Sequence, residues 1–331
     1  GYINAGMRGT NIFELTQAMA LAARNDSLDC VVIGLDLDEF GTHSKAKATY
    51  WLSALRDGRR DLSLARVSLS PNTFGASVQL IADNVTGSQP RVPWADSYPA
   101  GRQRQRYTDG ASGIYRYYLG YQFDPDRLAL FDRTLDALTA NGVQVTGFIH
   151  PLHAWREEAL FRTGRGEDYL AFRAQLAEVF ARYAGRTPVD SCGQAGAAAL
   201  WDFSGFRAFA TVPAPAADQT AAHPNFYEPS HYLPHIGRDM LAVMRGEAGP
   251  DTSASGVLLT PGNVETTAAA IAARRAAWLD TPDGQDATAL LDAVEAADPT
   301  AEIETRQYLN RDDRRSLDDK LGRIAPAASR R

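Results

Sequence analysis

Cysteine is scarce in this chain: Cys30 and Cys192 are the two among 331 residues. They lie far apart and in no C-x-x-C motif, which excludes a disulfide framework and a thiolate metal site. They read as two small buried thiols, with a single Cys30–Cys192 bridge left open. Long apolar runs are missing as well; none approaches the roughly 20 residues of a membrane-spanning helix. Positive charge is in deficit, with 34 Lys and Arg against 40 Asp and Glu and a net charge of −6. That balance removes the electrostatic case for a nucleic-acid binder. No G-x-S-x-G elbow marks a serine nucleophile. An initiator methionine is also lacking: the chain opens on "GYINAG", inside what reads as a strand. It is therefore expected to be a fragment whose upstream part could hold a signal peptide or a membrane anchor.

What is present is enough for a large core. Hydrophobic residues make up 44% of the chain, and its length suits one large domain or two ordinary ones. Short apolar runs alternate with helical patterns, which predicts an α/β fold with a mainly parallel sheet. Tyr2 to Ala5 reads as a strand, followed by a glycine turn and a helix from about Asn11. Asn11 and Glu14 have capping-box spacing, and Ile12, Leu15, Met19 and Ala22 share a face. "CVVIGL" and "VQVTGFI" are the uniformly apolar strands of a sheet buried on both faces. Between them, Asp124 caps a helix with Pro125 at its first position; Leu128, Phe131, Leu135 and Leu138 form its stripe, and Asn141-Gly142 ends it. A helix from about Asp168 to Tyr183, the strand "AALWDF" and a helix from about His235 follow.

Residues 41 to 123 interrupt this alternation and read as an insertion of two or three short helices. It closes with a polar loop, "PAGRQRQRYTDGASG", whose arginines could guide an anionic substrate. The α/β domain is expected over residues 1 to 250, and a helical extension over 251 to 331. In that extension "GVLLTPGNVE" is a turn into an Ala-rich helix, and the tail that is acidic from about Thr281 and ends in "RRSLDDKLGRIAPAASRR" is a loosely attached helix or two, frayed at the end.

Ligands and catalytic groups in such sheets gather at the carboxyl ends of strands. Gly6 and Gly9 follow the first strand, Asp36 and Asp38 the second, and His150 and His153 the third. Glu228 and His231 lie in the loop after the fourth. The acid–imidazole spacing of Glu228 and His231 is that of a carboxylate orienting a general base. Asp36, Asp38, His150 and His153 are expected to line the same site, and Gly9 to offer a backbone N–H. No metal is expected at "HPLH", because Pro151 breaks the helix that would align the two rings and no third ligand is near in sequence. No cofactor is implied. No serine in the chain, Ser77 and Ser191 included, follows a strand as a nucleophile must, so the nucleophile is expected on a strand preceding Gly1.

The segments "INAGMRGTNIFELTQAM", "VVIGLDLDEF", "GVQVTGFIHPLHAW", "LWDFSGF", "FYEPSHYLPHIGRDML" and "GVLLTPGNVE" occur in that order. Together they resemble the SGNH/GDSL-like hydrolase superfamily, most closely its branch of alginate-type O-acetyltransferase-like envelope proteins. The resemblance spans Gly1 to Thr266 and is most specific in "WDFSGF…FYEPSHY…P…G". It implies a flavodoxin-like three-layer sandwich lacking its first strand, where the family carries its serine. It also implies that His231 is the catalytic histidine, Glu228 its acid partner and Gly9 the glycine of the oxyanion site. Two positions depart from the family pattern: Glu228 stands where aspartate is usual, and Asp38 falls near the asparagine block. A carboxylate would repel an oxyanion. Either Asp38 is protonated, or Gly9 and the serine's own N–H form the oxyanion hole.

The activity implied is O-acetyl transfer to a cell-envelope polysaccharide, or hydrolysis of its acetyl esters, by a Ser-His-acid mechanism. The partners implied are a carbohydrate acceptor and an acetyl donor, which could be a membrane acyltransferase; the location implied is periplasmic or envelope, with an anchor upstream. The other reading is a non-catalytic carbohydrate-binding or assembly protein that keeps the fold.

Overall fold

A computed structural model describes residues 10–24, 28–42, 44, 103–188, 192, 196–217, 222–249, 252–297 and 320. The expected first strand (Tyr2 to Ala5), Gly6 and Gly9 lie outside these residues, as does most of the 41 to 123 insertion.

The described part is an α/β fold around a four-stranded, mostly parallel sheet. Strands β1 (Cys30–Leu35), β2 (Gln144–Ile149) and β3 (Ala198–Asp202) run parallel, in the order β1-β2-β3. One row across the sheet is Ile33, Gly147, Leu200 and Leu259. It faces a core shared with α1 (Ile12–Ala22), α3 (Pro125–Ala140) and α5 (Gly166–Ala184). Gly147 is required there: a Cβ would meet the Phe180 ring at 2.3 Å. On the other face Phe148 and Trp201 pack toward a second core. That core joins α2 (Gln103–Leu119), α4 (Ala154–Leu160), α6 (Pro234–Met244), α7 (Val264–Leu279) and α8 (Pro282–Ala297).

The local signals work as expected where the chain is described. Asn11 and Glu14 form a reciprocal capping box on α1. Asp124 caps α3 with Pro125 at its start, and Gly142 leaves it at φ 77°, a left-handed value that suits glycine. The α1 face is rotated from the expected one: Phe13 and Ala20 join Ile12 and Met19 in the interior, while Ala22 is exposed.

Four expectations are corrected. The polar Arg-rich loop is a helix from Gln103, because Tyr107, Ala111, Tyr115 and Tyr118 recur at helical spacing and bury one face. Gly110 is tolerated in it because Pro229 packs closely there, 3.1 Å from where a Cβ would sit. Arg104 at its start is spent on Asp286, at 3.1 Å, and on the face of Trp155. Second, "GVLLTPGNVE" supplies a strand, β6 (Val257–Leu259), antiparallel to β3, before α7 begins. Third, α8 is anchored: Ala287, Leu291 and Val294 are buried, and Asp283 accepts from Ala214 and both Trp155 and Trp278. Fourth, Cys30 and Cys192 are not two thiols but a disulfide, with Cα atoms 6.3 Å apart, within the span a bridge requires. The bridge ties the start of β1 to the segment before β3.

Candidate active site

The carboxyl edge of the parallel sheet gathers three of the expected groups. Leaving β1, Asp36 caps a short 3-10 turn, Leu37–Phe40, by accepting from the Leu37 N–H at 2.9 Å. This turn holds Asp38 on the rim. Leaving β2, His150 lies over Gly34, whose absent side chain makes room: a Cβ there would fall 2.1 Å from His150 Nε2. The third group sits on a hairpin of β4 (Phe226–Glu228) and β5 (His231–Tyr232), turned by Pro229 and Ser230.

In that hairpin His231 Nδ1 and Glu228 Oε1 are directly hydrogen-bonded. The other carboxylate oxygen of Glu228 accepts the Ser230 backbone N–H at 2.9 Å. The His231 side chain is 68% exposed and that of Glu228 21%, so the imidazole stands at the surface over a half-sunk acid. Burial opposes the charge on Glu228. The bond to His231, the imidazole's charge, the Ser230 N–H and Arg156 together outweigh it and hold the carboxyl below its ordinary value.

Sequence reasoning missed the residue that joins these loops. Arg156, on the first turns of α4, donates from Nη2 to Asp38 at 2.6 Å and lies 3.4 Å from Asp36. Its Nη1 donates to Ser230 Oγ. Burial works against the guanidinium, but Asp38, Asp36 and Glu228 more than compensate, so its charge is reinforced. Asp38 accepts from Arg156 through one oxygen and from the Tyr118 hydroxyl through the other. Burial pushes its carboxyl up to about 7; Arg156 opposes the rise and Asp36 adds to it. The only sequence signal for Arg156 was its place three residues after His153, one turn into a helix entering from a strand end.

His153 corrects the reading of it as site-lining. It is fully buried. Its Nδ1 caps α4 by accepting from the Trp155 N–H, and its Nε2 donates to the Val212 carbonyl at 2.9 Å. His223, also buried, repeats the arrangement: Nε2 to Val212, Nδ1 accepting from Asn225 and Phe226. The rings of His150 and His153 diverge, one toward Tyr232 and the other toward His223. Among the described residues no three His, Cys, Asp or Glu side chains converge as metal ligands. The His153 backbone N–H donates to Pro229 at 3.0 Å, so the hairpin turn rests on the start of α4.

These imidazoles make acid a stress on the fold. Burial lowers His153 to about 3, with the charge of His223 adding to it; burial lowers His150 and His223 as well. A histidine held neutral contributes fully above its unfolded value near 6.5, and that contribution is lost as pH falls toward the folded value. Asp38 and Glu157, both raised to about 7 mainly by burial, act with the opposite sign over the same range. The expected result is therefore read as a difference. His153→Asn keeps a capping oxygen but cannot titrate. Between pH 6 and 4 the parent chain should lose stability relative to it, by roughly 1 kcal/mol per pH unit. Urea midpoints at stepped pH measure this, and parallel pH curves for the two proteins would refute it.

Beyond the rim, β3 ends in a buried polar cluster. Asp202 accepts from Arg173 Nε at 3.0 Å and from Ser204 N at 2.9 Å. Glu157 receives the backbone N–H groups of Gly205 and Phe206 at 2.7 and 2.8 Å, both in left-handed conformations. "DFSGF" is thus held by charge, not by side-chain packing alone. No family model, no curated protein and no solved structure matches this chain.

Proposed function

We propose that this protein performs acyl transfer of the SGNH type, moving acetyl groups onto or off an envelope polysaccharide. The observation that carries the reading is the Glu228–His231 pair, raised on a hairpin at the carboxyl edge of a parallel sheet, where such folds assemble their sites. With Nδ1 engaged by Glu228, Nε2 is the nitrogen that takes the proton from an attacking serine hydroxyl. The serine attacks the acetyl carbonyl, the alkoxide of the donor leaves with that proton, and an acetyl-enzyme remains. A sugar hydroxyl then repeats the step in reverse with His231 again as base, and water in its place gives hydrolysis.

The oxyanion assignment follows from Asp38. Both its oxygens are already engaged, one by Arg156 and the other by the Tyr118 hydroxyl, so neither is turned to a developing oxyanion; in this proposal that role falls to backbone N–H groups, Gly9 among them. The attacking serine is part of this proposal, on the family's first strand as the resemblance implies. The SGNH-like, flavodoxin-type order of strands belongs to this same proposal. A disulfide between Cys30 and Cys192 supports an oxidising compartment such as the periplasm; the polysaccharide acceptor and the membrane-borne acetyl donor are what the resemblance implies.

The test is covalent. A chain extended upstream of Gly1 should hydrolyse a chromogenic acetyl ester and be labelled by a serine-reactive phosphonate at one serine in the added segment. The 331-residue chain should do neither. Absence of labelling in the extended chain overturns the enzymatic reading and leaves the carbohydrate-binding one.

A further inference from the structure

The acid–imidazole pair does not hold itself in place. Glu228 and His231 sit on a hairpin of two short strands, and an isolated hairpin is marginal in water. The His153 N–H already holds the Pro229 carbonyl, but a further contact must fix Ser230 so that Glu228 keeps one oxygen toward Nδ1. We propose that Arg156 is the positioning residue for this pair: its guanidinium, anchored on Asp38 and Asp36, clamps the Ser230 hydroxyl, and Ser230 in turn holds the Glu228 carboxylate. The inference rests on the reading of Glu228 and His231 as an acid–base pair.

Each link of the clamp is on the rim. Asp38 is braced by Tyr118 from α2 and grips Nη2 at 2.6 Å. The opposite corner of the same planar group, Nη1, meets Ser230 Oγ. Ser230 N–H closes on Glu228 at 2.9 Å. Arginine suits the task because its rigid fork reaches two partners in different directions, whereas a lysine is a single point charge on a flexible stem. Arg156 is 7% exposed, so its fork is held by the surrounding packing. The clamp joins three separate pieces of chain: the end of β1, the first turns of α4 and the β4–β5 turn. It thereby links the geometry of the imidazole to the carboxyl edge of the sheet.

The test needs no enzymatic activity. In the 331-residue chain, 13C-labelled glutamate reports the titration of Glu228, and hydrogen exchange reports the backbone amide of residue 230. Ser230→Ala keeps that amide and the Arg156 charge but removes the clamped hydroxyl. The expected result is about ten-fold faster exchange at residue 230 and a Glu228 titration shifted upward. Ser230→Thr should restore both, and Arg156→Lys should resemble Ser230→Ala. If Ser230→Ala leaves exchange and titration as in the parent, the clamp is refuted, whatever Arg156 variants do to folding. A purely electrostatic Arg156 would shift Glu228 in Arg156→Met yet leave Ser230→Ala silent, which also refutes it. An inactive extended chain with a working clamp would instead overturn the functional reading alone.

Discussion

Replacing His231 with alanine in the upstream-extended chain should lower ester hydrolysis and acyl transfer by about 10²–10⁴-fold, the usual cost of losing a general base. The loss should be chemical and not structural. With 68% of its side chain exposed, His231 contributes little packing, and its loss should cost about 0.5–1.5 kcal/mol, the usual worth of a hydrogen bond such as the one to Glu228. The parent and variant should therefore both be folded at the assay temperature while their rates diverge. Glu228→Gln should fall in the same direction, because a neutral amide no longer stabilises the imidazolium or selects its tautomer. Combining the two should cost about as much as His231→Ala alone, since residues acting as a unit are not additive. Initial rates on a chromogenic acetyl ester, beside thermal melts, decide the matter; an alanine variant retaining parental rate would remove His231 from the mechanism.

The largest stability effect belongs to a different residue. Arg173→Met should destabilise the chain by about 3–5 kcal/mol, the cost of stranding one member of a buried ion pair. Arg173 and Asp202 have side chains 2% and 0% exposed and meet at 3.0 Å. Arg173 also donates to the Tyr169 carbonyl at 3.0 Å and to Ser204, and lies over the Tyr169 ring. Removing it leaves Asp202 buried beside Glu157, whose own carboxyl is already pushed up to about 7 by burial against the opposing pull of Arg173. Adding Asp202→Asn to Arg173→Met should recover part of the loss, because the stranded charge disappears. Urea unfolding of the parent, the single and the double variants measures both steps. A single variant within 1 kcal/mol of the parent would mean that the pair contributes little.

Much of the sheet was legible because apolar runs bounded by turn residues carry their own signal. "CVVIGL", "VQVTGFI" and "AALWD" became β1, β2 and β3, and the caps at Asn11 and Asp124 work as their side chains require. The Glu228–His231 pair was legible for the same reason: both partners lie within four residues of chain. The misses share a cause in long-range packing. Arg- and Gly-rich residues 103 to 113 read as loop until tyrosines spaced along one face found a partner surface. Three residues, Val257–Leu259, carry too short a pattern to announce a strand, and pairing with β3 makes them one. Buried His153 shares the strand-end position of His150, and nothing local distinguishes a ring turned to the rim from one turned into the core.

By itself the sequence determined the alternation of strands and helices, the helix starts and the acid–imidazole spacing, since propensity, capping and hydrophobic period act within a few residues. Tertiary structure alone decided that Cys30 meets Cys192, that His153 is sealed inside while His150 stays at the rim, and that Arg156 binds Asp38 and Ser230 across 118 and 74 residues of chain. Those outcomes depend on which surfaces meet when the chain closes. Burial and charge pairing are properties of that meeting, so they have no signature in any short stretch of sequence.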